Sequence, residues 1–279
     1  MKKFISWSLL LVMLLSLSGC GTVIKNEPEQ NESKSSQDID ENQSIENDQT
    51  AKEDTSKQEA PIEEKQAPEP VVNKKVVVID PGHSSHGNKG MEKLSPDSDV
   101  MKIKDPGGAQ GDFTGTPEYV VAMSVALKLK SLLEQNQVTV IMTKTQDSDS
   151  PGNIERAEVG NSNNANLEIR IHCDSADSSS ASGASMLVPQ PIGYAKDISG
   201  ISEKYGQTIL DKLIADVGMK NRGVVKRDDL TGFNWSKVPV VLVEMGFMSN
   251  PQEDKLLNDD SYQNKLAQGL CDGILESLK

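Results

Sequence analysis

The sequence predicts one α/β domain whose mixed, mostly parallel central sheet of about six strands is flanked by helices on both faces. Three observations predict it. Short apolar, strand-like runs fall at 75–80, 138–143, 167–172, 184–188, 222–226 and 239–244. Between several of them lie stretches with apolar residues three and four apart, the spacing of a helix with one buried face. Alternation of the two patterns is the mark of a sheet covered on both sides. The stretch that carries them, about 74–279, is one domain of ordinary size without an internal repeat.

The first run, Val76-Val77-Val78-Ile79, passes into Asp80-Pro81-Gly82-His83, a composition that makes a tight turn. From Ser84 to Gly115 the chain is rich in Gly, Ser, Asp and Lys and shows little periodicity. It predicts a long loop, and loops of that length in a compact domain are functional or mobile. Because it starts after His83 and stops before Glu118, it is expected to rim a site and could gate it. Thr116-Pro117-Glu118 then opens a helix, with Thr116 as N-cap and proline at the first helical position. Val121, Val125, Leu129, Leu132 and Leu133 continue it. Further helices are predicted over about 153–165 and 201–217. The last starts near Ser261 and carries Leu266, Leu270, Ile274 and Leu278 on one face.

The first 73 residues are of a different kind. Lys2 and Lys3 precede an apolar stretch from Phe4 to Leu17, too short to span a bilayer comfortably and flanked like a cleaved export signal. It ends in Leu17-Ser18-Gly19-Cys20, which resembles a bacterial lipobox. The expectation is a lipoprotein signal peptide over 1–19 and a lipidated Cys20 that anchors the protein to the membrane. Residues 21–70 carry 14 acidic side chains against five lysines, which is −9 of the chain's −13. So polar and charged a segment cannot bury enough apolar surface to order itself, so 20–73 is expected to be a disordered acidic linker. Its acidity excludes nucleic acid as a partner. Apart from Cys20 there are only Cys173 and Cys271, too few for a disulfide framework.

Chemistry gathers at the ends of the strand-like runs, where open α/β sheets build their sites. Two of the three histidines, His83 and His172, directly follow such runs, and Val240-Val241-Leu242-Val243 delivers Glu244. Glu118 lies in the first turn of its helix. Taken singly, each has a structural explanation: a hydrogen-bonded histidine, an acid complementing a helix dipole, a loop cap. Together His83, Glu118 and His172 make two nitrogens and a carboxylate, the ligand count of a catalytic zinc site with one position left for water. Glu244 is then a candidate general base. His86, in the loop, is a candidate substrate contact. Cys173 adjoins His172, but neighbours on a strand point to opposite faces, so it is expected to be a small buried residue.

Val77-Val78-Ile79-Asp80-Pro81-Gly82-His83, Ile169-Arg170-Ile171-His172 and Val241-Leu242-Val243-Glu244-Met245-Gly246-Phe247-Met248-Ser249-Asn250 resemble the zinc-dependent N-acetylmuramoyl-L-alanine amidases of the Amidase_3 type. The helix at Glu118, the Arg156 segment leading to Asn164-Ala165 and the closing Tyr262-Gln263 helix fit the same order, over nearly all of 75–278. The resemblance implies one Zn2+ ion on His83, Glu118 and His172, with Glu244 catalytic. It implies cleavage of the amide between N-acetylmuramic acid and L-alanine in peptidoglycan. Departures flank the ligands: Arg170 where the family usually has a small residue, Cys173 where alanine is common, and Ser84-Ser85-His86 where glycine-rich sequence follows the first histidine.

The expected location is extracytoplasmic, lipid-anchored and facing the wall, with peptidoglycan as partner and the protein a monomer. Three alternatives stay open: a zinc peptidase acting on the stem peptide, a non-haem iron enzyme using the same two histidines and carboxylate, and a non-catalytic wall-binding lipoprotein.

Overall fold

The computed structural model describes residues 74–279. The signal, Cys20 and the acidic segment expected over 20–73 lie outside the described residues. Among the described residues eight strands form: β1 (Val76–Pro81), β2 (Asn88–Lys93), β3 (Met101–Asp105), β4 (Thr139–Met142), β5 (Leu167–Asp174), β6 (Ala184–Pro189), β7 (Asn221–Arg227) and β8 (Val240–Phe247). Six build one sheet in the order β4-β1-β5-β8-β6-β7, while β2 and β3 pair as a separate hairpin. The strands β4, β1, β5 and β8 are mutually parallel; β6 meets β8 antiparallel and β7 follows β6. The sheet is thus mixed and mostly parallel, as the alternation of elements implies.

The helices are α1 (Glu118–Gln135), α2 (Asn153–Ser162), α3 (Ser199–Val217), α4 (Thr231–Asn234), α5 (Pro251–Leu257) and α6 (Asp260–Ser277), with a short 3-10 turn at Gly193–Lys196. Strand side chains alternate between the two faces, and that alternation sorts the core. Val77, Ile79, Ile169, Ile171, Val241 and Val243 point to one side, where Leu129 and Leu133 of α1, Ile209 and Leu213 of α3, and Leu270 and Ile274 of α6 close over them. Each such side chain removed from water contributes roughly 1.5–3 kcal/mol. On the other side Val240, Leu242 and Leu187 meet Ala195 and Phe233, and Val78 meets Ala165 and Val238. That second face also carries Asp80, Glu168, Arg170, His172 and Glu244, so polar chemistry and the main core occupy opposite sides of the same strands.

The segment expected as a loop over 84–115 is partly a β-hairpin. Only Glu92 and Asp105 are buried along its strands, so it lacks the alternation that marks a half-buried strand, and a register shift falls between Asn88 and Met91. Glu92 pins it in place. One carboxylate oxygen accepts from the Asn153 backbone N–H at 3.0 Å and the other from Ile154 at 3.1 Å. The hairpin thereby caps the N-terminus of α2 with a negative charge, as a helix dipole favours. The helix at Thr116 also starts later than expected: Pro117 is the N-cap and Glu118 the first helical residue, with no side-chain cap. Thr116 does not cap because the chain folds back through a turn at 112–114, closed by a Gln110–Pro117 bridge and by Glu118 N–H donating to the Ala109 carbonyl at 2.9 Å.

Glu168, fully buried on β5, has no hydrogen-bond partner for either oxygen among the described residues. Burial, reinforced by Asp80, pushes its pKa from 4.5 up to about 8. Between those values the unfolded chain has released a proton that the folded chain keeps. Stability therefore falls as pH rises through that window, and this contribution is fully present only below it. Glu168→Gln should remove the slope: from pH 5 to pH 8 the wild-type Tm should drop by on the order of 5 °C more than the variant's in thermal melts.

Candidate active site

His83 leaves β1 through Asp80-Pro81-Gly82 with a left-handed backbone, φ 54°, a conformation that costs a non-glycine residue roughly 1–2 kcal/mol. Its surroundings hold it there. Asp105, at the end of β3, accepts from Nδ1 at 2.9 Å. Gly82 is required for a different reason: a Cβ at that position would lie 2.4 Å from Cε1 of His172. The two imidazoles consequently meet edge to face with centroids 4.9 Å apart.

Glu118 ties the cluster together. Its Oε1 lies 2.9 Å from Nδ1 of His172, and its Oε2 lies 3.4 Å from Nε2 of His83. Two backbone amides also donate to it, Ala109 at 2.7 Å and Cys173 at 3.1 Å. Cys173 itself is buried with its thiol unpaired, and burial pushes that thiol up. It therefore contributes its backbone to the site while its side chain sits in the core on the opposite face.

One ligand atom from each of His83, Glu118 and His172 lies within 4.8 Å of the others. Burial pushes Glu118 upward, but the hydrogen bond and charge of His172, then the charge of His83, more than offset it and keep the acid below its ordinary range. Burial lowers His172, opposed by the hydrogen bond and charge of Glu118. Nδ1 faces Glu118, which leaves Nε2 as the free atom, and Nε2 is buried with no partner among the described residues.

Glu244 is the register neighbour of His172 across the β5–β8 pair. Its Oε2 is likewise buried and unpartnered among the described residues. Burial first, then the charges of Glu118 and Asp174, push it well above the usual carboxylate range. Two imidazole nitrogens, a carboxylate and these orphaned atoms fit a zinc-type cation with an acid beside it. The same donor set also suits ferrous iron.

The cluster opens into a cavity of about 330 Å³. His83, His172 and Glu244 line it with Arg156, Arg170 and Arg227, and the hairpin supplies Lys102 to Asp105 as a wall. The 84–115 segment therefore does border the site. His86 is exposed and lines a different groove with Ser84 and Gly107. Asp105 could not be found from sequence, because its partner His83 is 22 positions away with no pattern linking them. Partial burial pushes Asp105 up, but hydrogen bonds from His83, Ser84 and the Gly107 N–H bring it far below the usual carboxylate range.

Two strand-end histidines and the acid that opens α1 form a set of groups that could hold a metal ion, with the orphaned acid Glu244 beside it. The family described as N-acetylmuramoyl-L-alanine amidase matches residues 77–276, and the chain belongs to it. It is 25% identical over 205 residues to the N-acetylmuramoyl-L-alanine amidase Rv3717 of Mycobacterium tuberculosis, covering 71% of this chain and 84% of that one. With the N-acetylmuramoyl-L-alanine amidase AmiC of Neisseria meningitidis it shares 25% over 236 residues, 71% of this chain and 51% of the other. The crystal structure of the apo form of Ami1, the N-acetylmuramyl-L-alanine amidase of Mycobacterium abscessus, superposes with a TM-score of 0.67. It is 27% identical to this chain, covering 74% of it and 99% of Ami1.

Asp105 orients a candidate ligand, and partners of that kind typically account for about 10- to 100-fold in metal affinity. Asp105→Ala should weaken divalent-metal binding by that order in a chelator competition while Glu244→Gln leaves it nearly unchanged.

Proposed function

We propose that this protein is an exported, zinc-dependent cell-wall hydrolase. Its reaction would be cleavage of the amide joining the lactyl group of N-acetylmuramic acid to L-alanine in peptidoglycan. One observation carries the reading: Glu118 gathers two strand-end histidines, and an unpartnered acid, Glu244, stands beside one of them on the next strand. The family and the similar amidases support the bond that is cut.

His83, Glu118 and His172 would hold the ion. When bound, zinc supplies a Lewis acid that polarises the scissile carbonyl and makes a water more acidic. Glu244 takes the proton of the attacking water as its oxygen bonds to the carbonyl carbon. The same residue then gives that proton to the departing L-alanine nitrogen as the carbon–nitrogen bond breaks. Burial suits Glu244 to this exchange, because it raises the carboxylate's affinity for the proton it must take up and pass on. Asp105 engages Nδ1 of His83, which leaves the Nε2 of that ring toward Glu118.

Glu244→Gln should keep the metal and lose at least about 100-fold in the rate of peptidoglycan hydrolysis. Mass spectrometry of the wild-type digest should show L-alanine with a free amino group; products cut only within the stem peptide, or full activity in the variant, would sink the assignment.

The Leu17-Ser18-Gly19-Cys20 sequence supports a lipid anchor at Cys20, with 20–73 as the link that lets a monomeric catalytic domain reach the wall. Cys20→Ser should shift the protein from the membrane pellet to the soluble fraction on cell fractionation, with catalysis by the purified domain unaltered.

A further inference from the structure

Arg170 stands two residues before His172, on the same face of β5, and lines the cavity that holds His83, His172 and Glu244. It is 4% exposed. Its Nε donates to Asp80 Oδ2 at 2.7 Å, and Nη2 donates to Asn153 Oδ1 at 2.8 Å. Nη1 makes no hydrogen bond among the described residues. It lies against Gly232 of α4, where a Cβ would come within 2.1 Å of it. The glycine leaves room for the guanidinium, and the guanidinium fills that room without spending its last donors.

Asp80 does not use up both of the arginines that reach it. The single carboxylate of Asp80 is shared by two guanidinium groups, since Arg156 Nη1 donates to its Oδ1 at 2.6 Å. Glu168, the next acid on the strand, is neutral below about 8. Arg170 thus reaches a cavity of about 330 Å³ whose lining mixes Lys102 with the acids Asp105, Asp229 and Glu244, and its Nη1 is committed to none of them. A half-used guanidinium fork is a receptor for a carboxylate.

We propose that Nη1 of Arg170 binds a carboxylate of the stem peptide close to the cleaved bond, so that the enzyme selects free-acid peptides over amidated ones. The peptide side is implied because the lactyl carboxyl of the sugar is itself consumed in the scissile amide, leaving the muramic residue no other carboxylate. This rests on the amidase reading above and names the substrate class for it.

Two synthetic N-acetylmuramoyl dipeptides decide the matter, alike except that the residue after L-alanine carries either free carboxylates or carboxamides. With zinc-loaded protein, kcat/KM should be about tenfold or more higher for the carboxylate form. In Arg170→Gln that ratio should collapse to within about twofold. Equal turnover of both fragments by the wild type overturns the proposal, whether or not the variant folds. Cleavage of neither fragment counts against the amidase reading instead. In that event the affinities of the two free dipeptides, measured by calorimetry, test Arg170 separately, and equal affinities overturn it.

Discussion

The site depends on one buried carboxylate. Asp80 is wholly inaccessible, yet burial's upward push on it is overcome by Arg156, Arg170 and the Thr143 hydroxyl, which hold it ionised. Through these contacts the end of β1, the middle of β5 and the first turns of α2 are fixed to one another. Arg156 also donates to the Pro81 carbonyl at 2.9 Å, so the same guanidinium grips the turn that presents His83. Removing one partner of such a pair strands the other charge in the interior, at a cost of about 3–5 kcal/mol. The left-handed backbone of His83 is sustained by this frame, since nothing in the residue itself favours it.

Strand pairing does the rest of the positioning. Parallel alignment of β5 and β8 sets His172 beside Glu244, and the two-residue repeat sends Ile171 and Cys173 to the opposite, apolar face. A shift of one residue would exchange ligand for core, so the hydrophobic packing beneath α1, α3 and α6 guards the chemistry above it. Past the strand end, Asn250 caps α5 by accepting from Gln252 and Glu253 at 2.9 and 3.2 Å. Glu253 reaches back to the Phe247 amide at 2.8 Å. The Gly-Phe-x-Ser-Asn run thus shapes the turn that follows Glu244.

Much of this is legible in the chain. Apolar runs bounded by turn residues locate all six strands of the main sheet, because each sets apolar side chains against the core, fully buried in the four inner strands and partly buried in the edge strands β4 and β7. The four residues His83, Glu118, His172 and Glu244 stand out because they follow such runs or open a helix. What stays hidden is long-range and polar. Asp80 reads as a turn residue, and its guanidinium partners lie 76 and 90 positions away. The hairpin is hidden because its strands are solvated on most sides, with Met91, Met101 and Ile103 each about half exposed. Its anchoring acid, Glu92, acts on a helix start 61 positions later. Local pattern reports which residues are buried; it does not report which buried charges find each other.

The two glutamates of the site show why geometry has to be added to pattern. Both are acids at the same pole of the sheet; Glu118 is buried, and Glu244 is half-buried with its Oε2 sealed from solvent. Glu118 has two backbone amides and two imidazoles around its oxygens, and falls below its ordinary range. Glu244 has an oxygen with no partner and two acids as neighbours, and rises well above it. Environments that drive two carboxyl groups apart divide their labour. The group held ionised by its neighbours is suited to remain in place as a ligand. The group that holds a proton readily is suited to carry one between water and a leaving amine. Exchanging the residues' roles would require exchanging their surroundings, and the turn over 109–117 delivers the Ala109 amide to Glu118 alone. In the proposed reaction, then, the difference between ligand and base resides in the backbone donors that reach one acid and miss the other.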